Sequence, residues 1–154
     1  MIAKSLSNNE NRGKIVWILA TSRPDLVEVD LKRPGRIDWK IPLFPAATPE
    51  EGFKLLQSIC RRHEIELGED AFSVLEKELP DLLTPGEAEA LVMEFKREIA
   101  VHNSDPLQVI KKRLEKYSPP VPREVLLAQI DLAIRDCSKL EYIPPRFRAE
   151  RVAK

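Results

Sequence analysis

The sequence predicts a mainly α chain, in which a small α/β portion with two strands is followed by a bundle of four or five helices. Three observations predict it. The run Ile15-Val16-Trp17-Ile18-Leu19-Ala20 is all apolar, β-branched and aromatic, and does not alternate, which suits a central parallel strand buried on both faces. A second run, with Ile37, Trp39, Ile41 and Leu43 alternating with Asp38, Lys40 and Pro42, suits a half-buried strand. Pro42 has no backbone donor, so that strand is expected at a sheet edge. From Thr48 onward, apolar residues recur at helical spacing between proline-marked starts.

Before the first strand, Ser7 to Gly13 is a turn-rich approach. Thr21 and Ser22 then put hydroxyls at the strand's carboxyl end, where open α/β sheets bind ligands. Leu26 to Leu31 reads as a short helix or turn, and Lys32-Arg33-Pro34-Gly35-Arg36 bends the chain sharply.

Thr48-Pro49-Glu50-Glu51, Thr84-Pro85-Gly86-Glu87 and Asp105-Pro106-Leu107-Gln108 each offer an N-cap, a proline at the first helical position and a Glu or Gln at the third. They open helices running to about His63, His102 and Tyr117. A further helix is expected over Glu69 to Leu79, closed by Pro80. After the extended corner Ser118-Pro119-Pro120-Val121-Pro122, a fifth helix spans Arg123 to Lys139. Tyr142 to Phe147 reads as extended, ahead of a basic end. The expected domains are residues 1–45, 46–145 and a tail at 146–154.

Twenty-five basic and twenty-five acidic residues give no net charge, which removes any global electrostatic case for nucleic acid or an anionic membrane. The tail Arg146-Phe147-Arg148-Ala149-Glu150-Arg151 alternates cations with one aromatic, but Glu150 interrupts it, and a solvated terminus is expected rather than a nucleic-acid site. Cys60 and Cys137 lack metal-ligand spacing, and there is no secretory leader or long apolar span, so a reducing cytoplasm is the expected setting.

Ala20-Thr21-Ser22-Arg23-Pro24-Asp25, followed by Arg33-Pro34-Gly35-Arg36-Ile37-Asp38, resembles the end of the nucleotide-binding core in AAA+ ATPases of the classical AAA clade. Those proteins show ATNRPD and then RPGRFD. The likeness continues into a helical lid and covers roughly residues 10 to 140. It implies that the two strands come from a P-loop-type parallel sheet and that the helices are an AAA+ lid bundle.

By this resemblance Ser22 holds the sensor 1 position, which helps to place the attacking water. A serine is shorter than the family's asparagine and cannot offer an acceptor and an NH2 together. Satisfying backbone groups at the strand end is the other role open to it. Arg33 and Arg36 correspond to arginine fingers that reach a neighbouring subunit's nucleotide. A planar guanidinium suits the charge on transferring phosphoryl oxygens.

Gly86 and Glu87 fall where the family has its second sensor region beside the nucleotide, and Arg61 falls nearest the family's ribose-side histidine. The alternative for this stretch is a capping-box glycine with no ligand. Arg97 lies about 16 Å along its helix from that start, in keeping with a clade that has no sensor 2 arginine. His63 and His102 are expected to cap helix ends. Asp25 and Asp38 are expected to pair with nearby arginines.

No G-x-x-x-x-G-K-[ST] occurs, nor an apolar run ending in Asp-Glu. The expectation is therefore the carboxyl-terminal part of a longer ATPase. That parent would bind ATP with magnesium and work as a homo-hexamer that remodels a macromolecule. The chain alone would be inactive and hold no metal. Its first strand, without sheet neighbours, would self-associate, rearrange or disorder. The alternative is a free-standing helical protein–protein interaction module without ATPase activity.

Overall fold

The computed structural model describes residues 2–6, 8–11, 13–102 and 104–152. Ser7 and Arg12 of the expected N-terminal turn, and Ala153 and Lys154 of the expected basic tail, lie outside the described residues. Seven helices are described: α1 (Ile2–Leu6), α2 (Pro49–Arg62), α3 (Ala71–Leu75), α4 (Pro85–His102), α5 (Pro106–Leu114), α6 (Arg123–Asp136) and α7 (Pro145–Val152). They fall into two compact units, Phe44–Pro120 and Met1–Leu43 with Val121–Lys154.

The unit Phe44–Pro120 holds α2 to α5. Its helices start where proline and a capping residue coincide. The Thr48 hydroxyl accepts from Glu51 N at 3.3 Å, and the Glu51 carboxylate accepts from Ala47 N at 3.0 Å. Asp105 caps α5 by accepting from Gln108 N at 3.1 Å. Each cap satisfies amides that the first helical turn leaves free.

Apolar stripes then fix the packing. Leu56 and Cys60 of α2, Leu75 of α3, Val92 and Phe95 of α4 and Ile110 of α5 are all 0 % exposed and share one core. Burial pushes the Cys60 thiol up to about 11, so it is an inert core residue. The expected Glu69–Leu79 helix is shorter, with α3 passing into a 3-10 turn at Glu76–Glu78 before Pro80.

The end of α2 is a Schellman motif: Ile65 N reaches Cys60 O at 2.9 Å and Glu64 N reaches Arg61 O at 3.2 Å. Glu64 sits between them with φ +63°, a conformation that favours glycine. Glu64→Gly is therefore expected to stabilise the unit by about 1 kcal/mol, the left-handed cost it removes. Thr48→Ala at the other end should cost about 0.5–2 kcal/mol. Urea midpoints moving in opposite directions would verify the pair.

Leu82 also has a positive φ, +56°, in the turn before α4. Holding a bulky residue there costs about 1–3 kcal/mol. Burial of Leu82 and Leu83, and the bridge in which Ala46 N donates to Leu83 O at 2.9 Å, offset it.

Glu89 of α4 ties the end of α2 to the same unit, lying 2.5 Å from both His63 Nε2 and Arg62 Nη2. The His63 hydrogen bond, helped by the charge of Arg62, holds the Glu89 carboxyl below its ordinary range. A depressed carboxylate contributes stability that is present above its unfolded value of about 4.3 and lost as pH falls through the lower folded value. Wild type should accordingly exceed Glu89→Gln in thermal midpoint at neutral pH, and the gap should close in acid.

The second unit is built on α6. Ile130, Ile134, Cys137, Ile143 and Phe147 are buried, and α6 packs on α7 and on a 3-10 turn at Pro24–Leu26. Residues 142–147 are not extended as expected. A 3-10 turn at Leu140–Tyr142 leads into α7, whose first residue, Pro145, has the φ and missing donor that suit a helix start.

The two expected strands do not form. Among the described residues there is no β-ladder, only the isolated Ala46–Leu83 bridge. A strand exists by its neighbours, and no backbone hydrogen bond among the described residues reaches Val16–Ala20. The run predicted to be buried on both faces is open: Ile15, Trp17 and Leu19 are 47 %, 45 % and 47 % exposed, and Val16 and Ile18 are each 88 % exposed. Ile37 to Leu43 is likewise irregular, and Trp39, Ile41 and Leu43 are exposed. The described structure is thus a helical chain, without the α/β remnant.

No helix among the described residues is long and apolar enough to cross a membrane.

Candidate functional site

The turn carrying Arg33 and Arg36 is defined by its own sequence. Arg36 N donates to Arg33 O at 3.2 Å, with Pro34 second in the turn and Gly35 third at φ +84°. That is the type II pattern, in which proline presets one φ and glycine supplies a positive one. Asp38 closes the turn from the far side, its carboxylate accepting from Gly35 N at 2.7 Å. It was expected to pair with an arginine and pairs with a turn amide instead.

Asp30 gathers the two arginines. Its carboxylate binds Arg36 Nη1 and lies 3.4 Å from Arg33 Nη1, while Arg36 Nη1 also donates to Asp30 O at 3.1 Å. The Arg33 side chain is 71 % exposed and that of Arg36 27 %. One carboxylate thus faces two guanidiniums.

Both shoulders of the turn are pinned near the end of α6. Lys32 Nζ pairs with the Asp136 carboxylate. Ser138 Oγ accepts from Lys40 N at 2.9 Å and donates to Asp38 O at 3.1 Å, and Ser138 N donates to Lys40 O at 3.1 Å. Trp39 and Tyr142 add a tilted ring pair at 6.4 Å, with Lys139 Nζ 5.0 Å from the Trp39 ring. The sequence reading missed Asp30, Asp136 and Ser138. Asp30 alone carried a local signal, an acid three residues before Arg33.

Ser22 is exposed in a bend between two satisfied neighbours. Thr21 Oγ1 accepts from Arg23 N at 3.0 Å, and the Arg23 guanidinium grips Asp25 at 2.9 and 2.5 Å. That hydrogen bond holds the Asp25 carboxyl below its ordinary range. Here the expected pairing of an acid with an arginine is present.

In the other unit, Gly86 opens α4 with no atom within 4 Å of where a Cβ would stand, so neither packing nor a positive φ requires glycine there. Glu87 turns back on Thr84, accepting from its amide at 2.9 Å and its hydroxyl at 2.7 Å, while Glu87 N donates to Thr84 Oγ1 at 3.3 Å. The capping box is therefore present. Burial, and then the Glu87 charge, push the Tyr117 phenol up to about 12. Arg61 is exposed in the last turn of α2. Among the described residues no group of three or more His, Cys, Asp or Glu is placed to hold a metal ion.

Comparison with known proteins gives matches to ATPases. The chain is 43 % identical over 53 residues to the ATPase histone chaperone YTA7 of Saccharomyces cerevisiae, covering 34 % of this chain and 4 % of that protein. It is 36 % identical over 76 residues to 26S proteasome regulatory subunit 8 homolog B of Arabidopsis thaliana, covering 49 % and 18 %. It is 31 % identical over 117 residues to the Cell division cycle protein 48 homolog of Archaeoglobus fulgidus, covering 76 % and 15 %. No family model and no solved structure matches. The chain spans less than a fifth of the length of each of these relatives. What the matched stretches establish is that this chain carries a segment related to AAA+ ATPases.

Proposed function

We propose that the chain supplies the sensor 1 position, the arginine fingers and the lid of an ATPase that works as a ring, with Arg33 and Arg36 acting on a neighbouring copy's nucleotide. One observation carries the proposal: the turn is locked by Gly35 and Asp38 while two guanidiniums share the single carboxylate of Asp30. A rigid turn that carries two planar guanidiniums suits phosphoryl oxygens. The matches to ATPases and the four-helix unit at Phe44–Pro120 support the same reading.

In this account Arg33 and Arg36 hold phosphate oxygens, and Ser22 offers one hydroxyl to a water. Gly86 and Arg61 would line the ATP site, Arg61 on the ribose side, and Glu87 serves as the cap, its carboxylate turned back on Thr84. ATP, with its magnesium, brings the phosphoanhydride chemistry. The ring is a homo-hexamer that remodels a macromolecule in the cytoplasm.

Subunit doping tests the proposal. Adding Arg33→Ala or Arg36→Ala copies to an active assembly should lower turnover at neighbouring sites. ATPase activity unchanged by the added copies would refute the finger assignment.

A further inference from the structure

The bonds inside the arginine turn set its shape but not its aim. Asp30 and Asp38 are close in sequence to Arg33 and Arg36 and would travel with them if the turn swung. What ties the turn into the fold is the stretch 136–138, at the end of α6. We infer that Ser138 is a positioning residue for the arginine fingers, acting on Arg36 through Asp38 and Gly35; this role rests on the finger reading of Arg33 and Arg36.

The ties bracket both arginines. On the near side, Lys32 Nζ pairs with the Asp136 carboxylate, and the pair is partly buried, so salt screens it less than a surface pair. On the far side, Ser138 Oγ accepts from Lys40 N at 2.9 Å and donates to Asp38 O at 3.1 Å, and Ser138 N donates to Lys40 O at 3.1 Å. Arg33 and Arg36 stand between these anchors. A segment fastened on both sides to one short stretch cannot pivot, whereas a segment fastened on one side is a hinge.

Asp38 carries the constraint into the turn. Its carbonyl accepts from Ser138 Oγ, and its carboxylate accepts from Gly35 N at 2.7 Å. Gly35, at φ +84°, immediately precedes Arg36. The hydroxyl of Ser138 is therefore linked through one residue to the backbone that aims the better held guanidinium.

A serine has the chemistry for this place, because a hydroxyl donates and accepts at once and so serves a carbonyl and an amide together. Alanine at 138 would keep the bond from its own amide and lose both bonds of Oγ. Threonine would keep all of them, and residue 138 is exposed, with room for a methyl group. Aim matters to a finger: a displacement of about 1 Å caused far from the reacting atoms can cost about 10²-fold in rate.

Two measurements test this role. In the 154-residue chain, with no nucleotide present, nitrogen-15 relaxation reads the turn directly. Ser138→Ala should lower the order parameters of the Gly35 and Arg36 amides and leave those of α6 unchanged. In the proposed ring ATPase, Ser138→Ala should lower kcat by up to about 10²-fold with KM unchanged, and Ser138→Thr should restore it. Unchanged order parameters at Gly35 and Arg36 would overturn the inference. Full kcat in Ser138→Ala beside an inactive Arg36→Ala would overturn it while leaving the finger reading intact, and so would a Ser138→Thr assembly as slow as Ser138→Ala. Full activity in Arg36→Ala would instead overturn the finger reading, and the positioning role with it.

Discussion

Replacing Arg36 with alanine in the proposed ring ATPase is expected to lower kcat by about 10³–10⁵-fold, the range for losing an arginine finger. KM should change little, because the guanidinium meets charge that grows on the phosphoryl oxygens only as the bond breaks. Arg36 is the better held of the two, bonded to both the carboxylate and the carbonyl of Asp30, so it starts from a defined position. Arg36→Lys should fail to restore activity, since an ammonium cannot make the planar two-point contact. Arg33→Ala should act in the same direction. Steady-state hydrolysis by each variant assembly, with helical content checked by circular dichroism, is the measurement.

Phe95→Ala should have the largest effect on folding. Phe95 is 0 % exposed on α4, in the core that α2, α3 and α5 also line. Emptying such a position costs about 3–5 kcal/mol in lost transfer energy and residual cavity. Domains are typically stable by only about 5–15 kcal/mol, so a large share of the unit's stability would go. Met93→Ala on the same helix, at a site 38 % exposed, is the control and should stay within about 0.5 kcal/mol. Urea unfolding followed by far-UV circular dichroism separates the two.

The helical half of the molecule was legible because its signals are local. Thr48, Thr84 and Asp105 each sit before a proline, and each caps the helix that follows. The stripes through Leu56, Val92, Phe95 and Ile110 are likewise written in spacing alone. The strands were misread because a strand is a property of a pair. Ile15–Ala20 has the composition of a buried strand, but composition cannot supply the neighbouring chain whose carbonyls and amides would complete it. The α6 end was only partly legible: its helix was expected, but the Lys32–Asp136 and Ser138–Lys40 links join residues about a hundred positions apart. The final helix was hidden for a different reason. Pro144 and Pro145 look like a break, and only the placement of Pro145 at the first turn shows a start. Within the candidate site, the two arginines were found by motif. Asp30, which gathers them, has no motif of its own.

Complementation between two inactive copies tests the central claim most directly. One copy keeps an intact nucleotide site and carries Arg33→Ala and Arg36→Ala, and the other keeps both arginines with its own nucleotide site disabled. If the arginines act across the interface, each copy alone is inactive and their mixture hydrolyses ATP, because mixed neighbours build working sites. A mixture as inactive as its components would contradict the account.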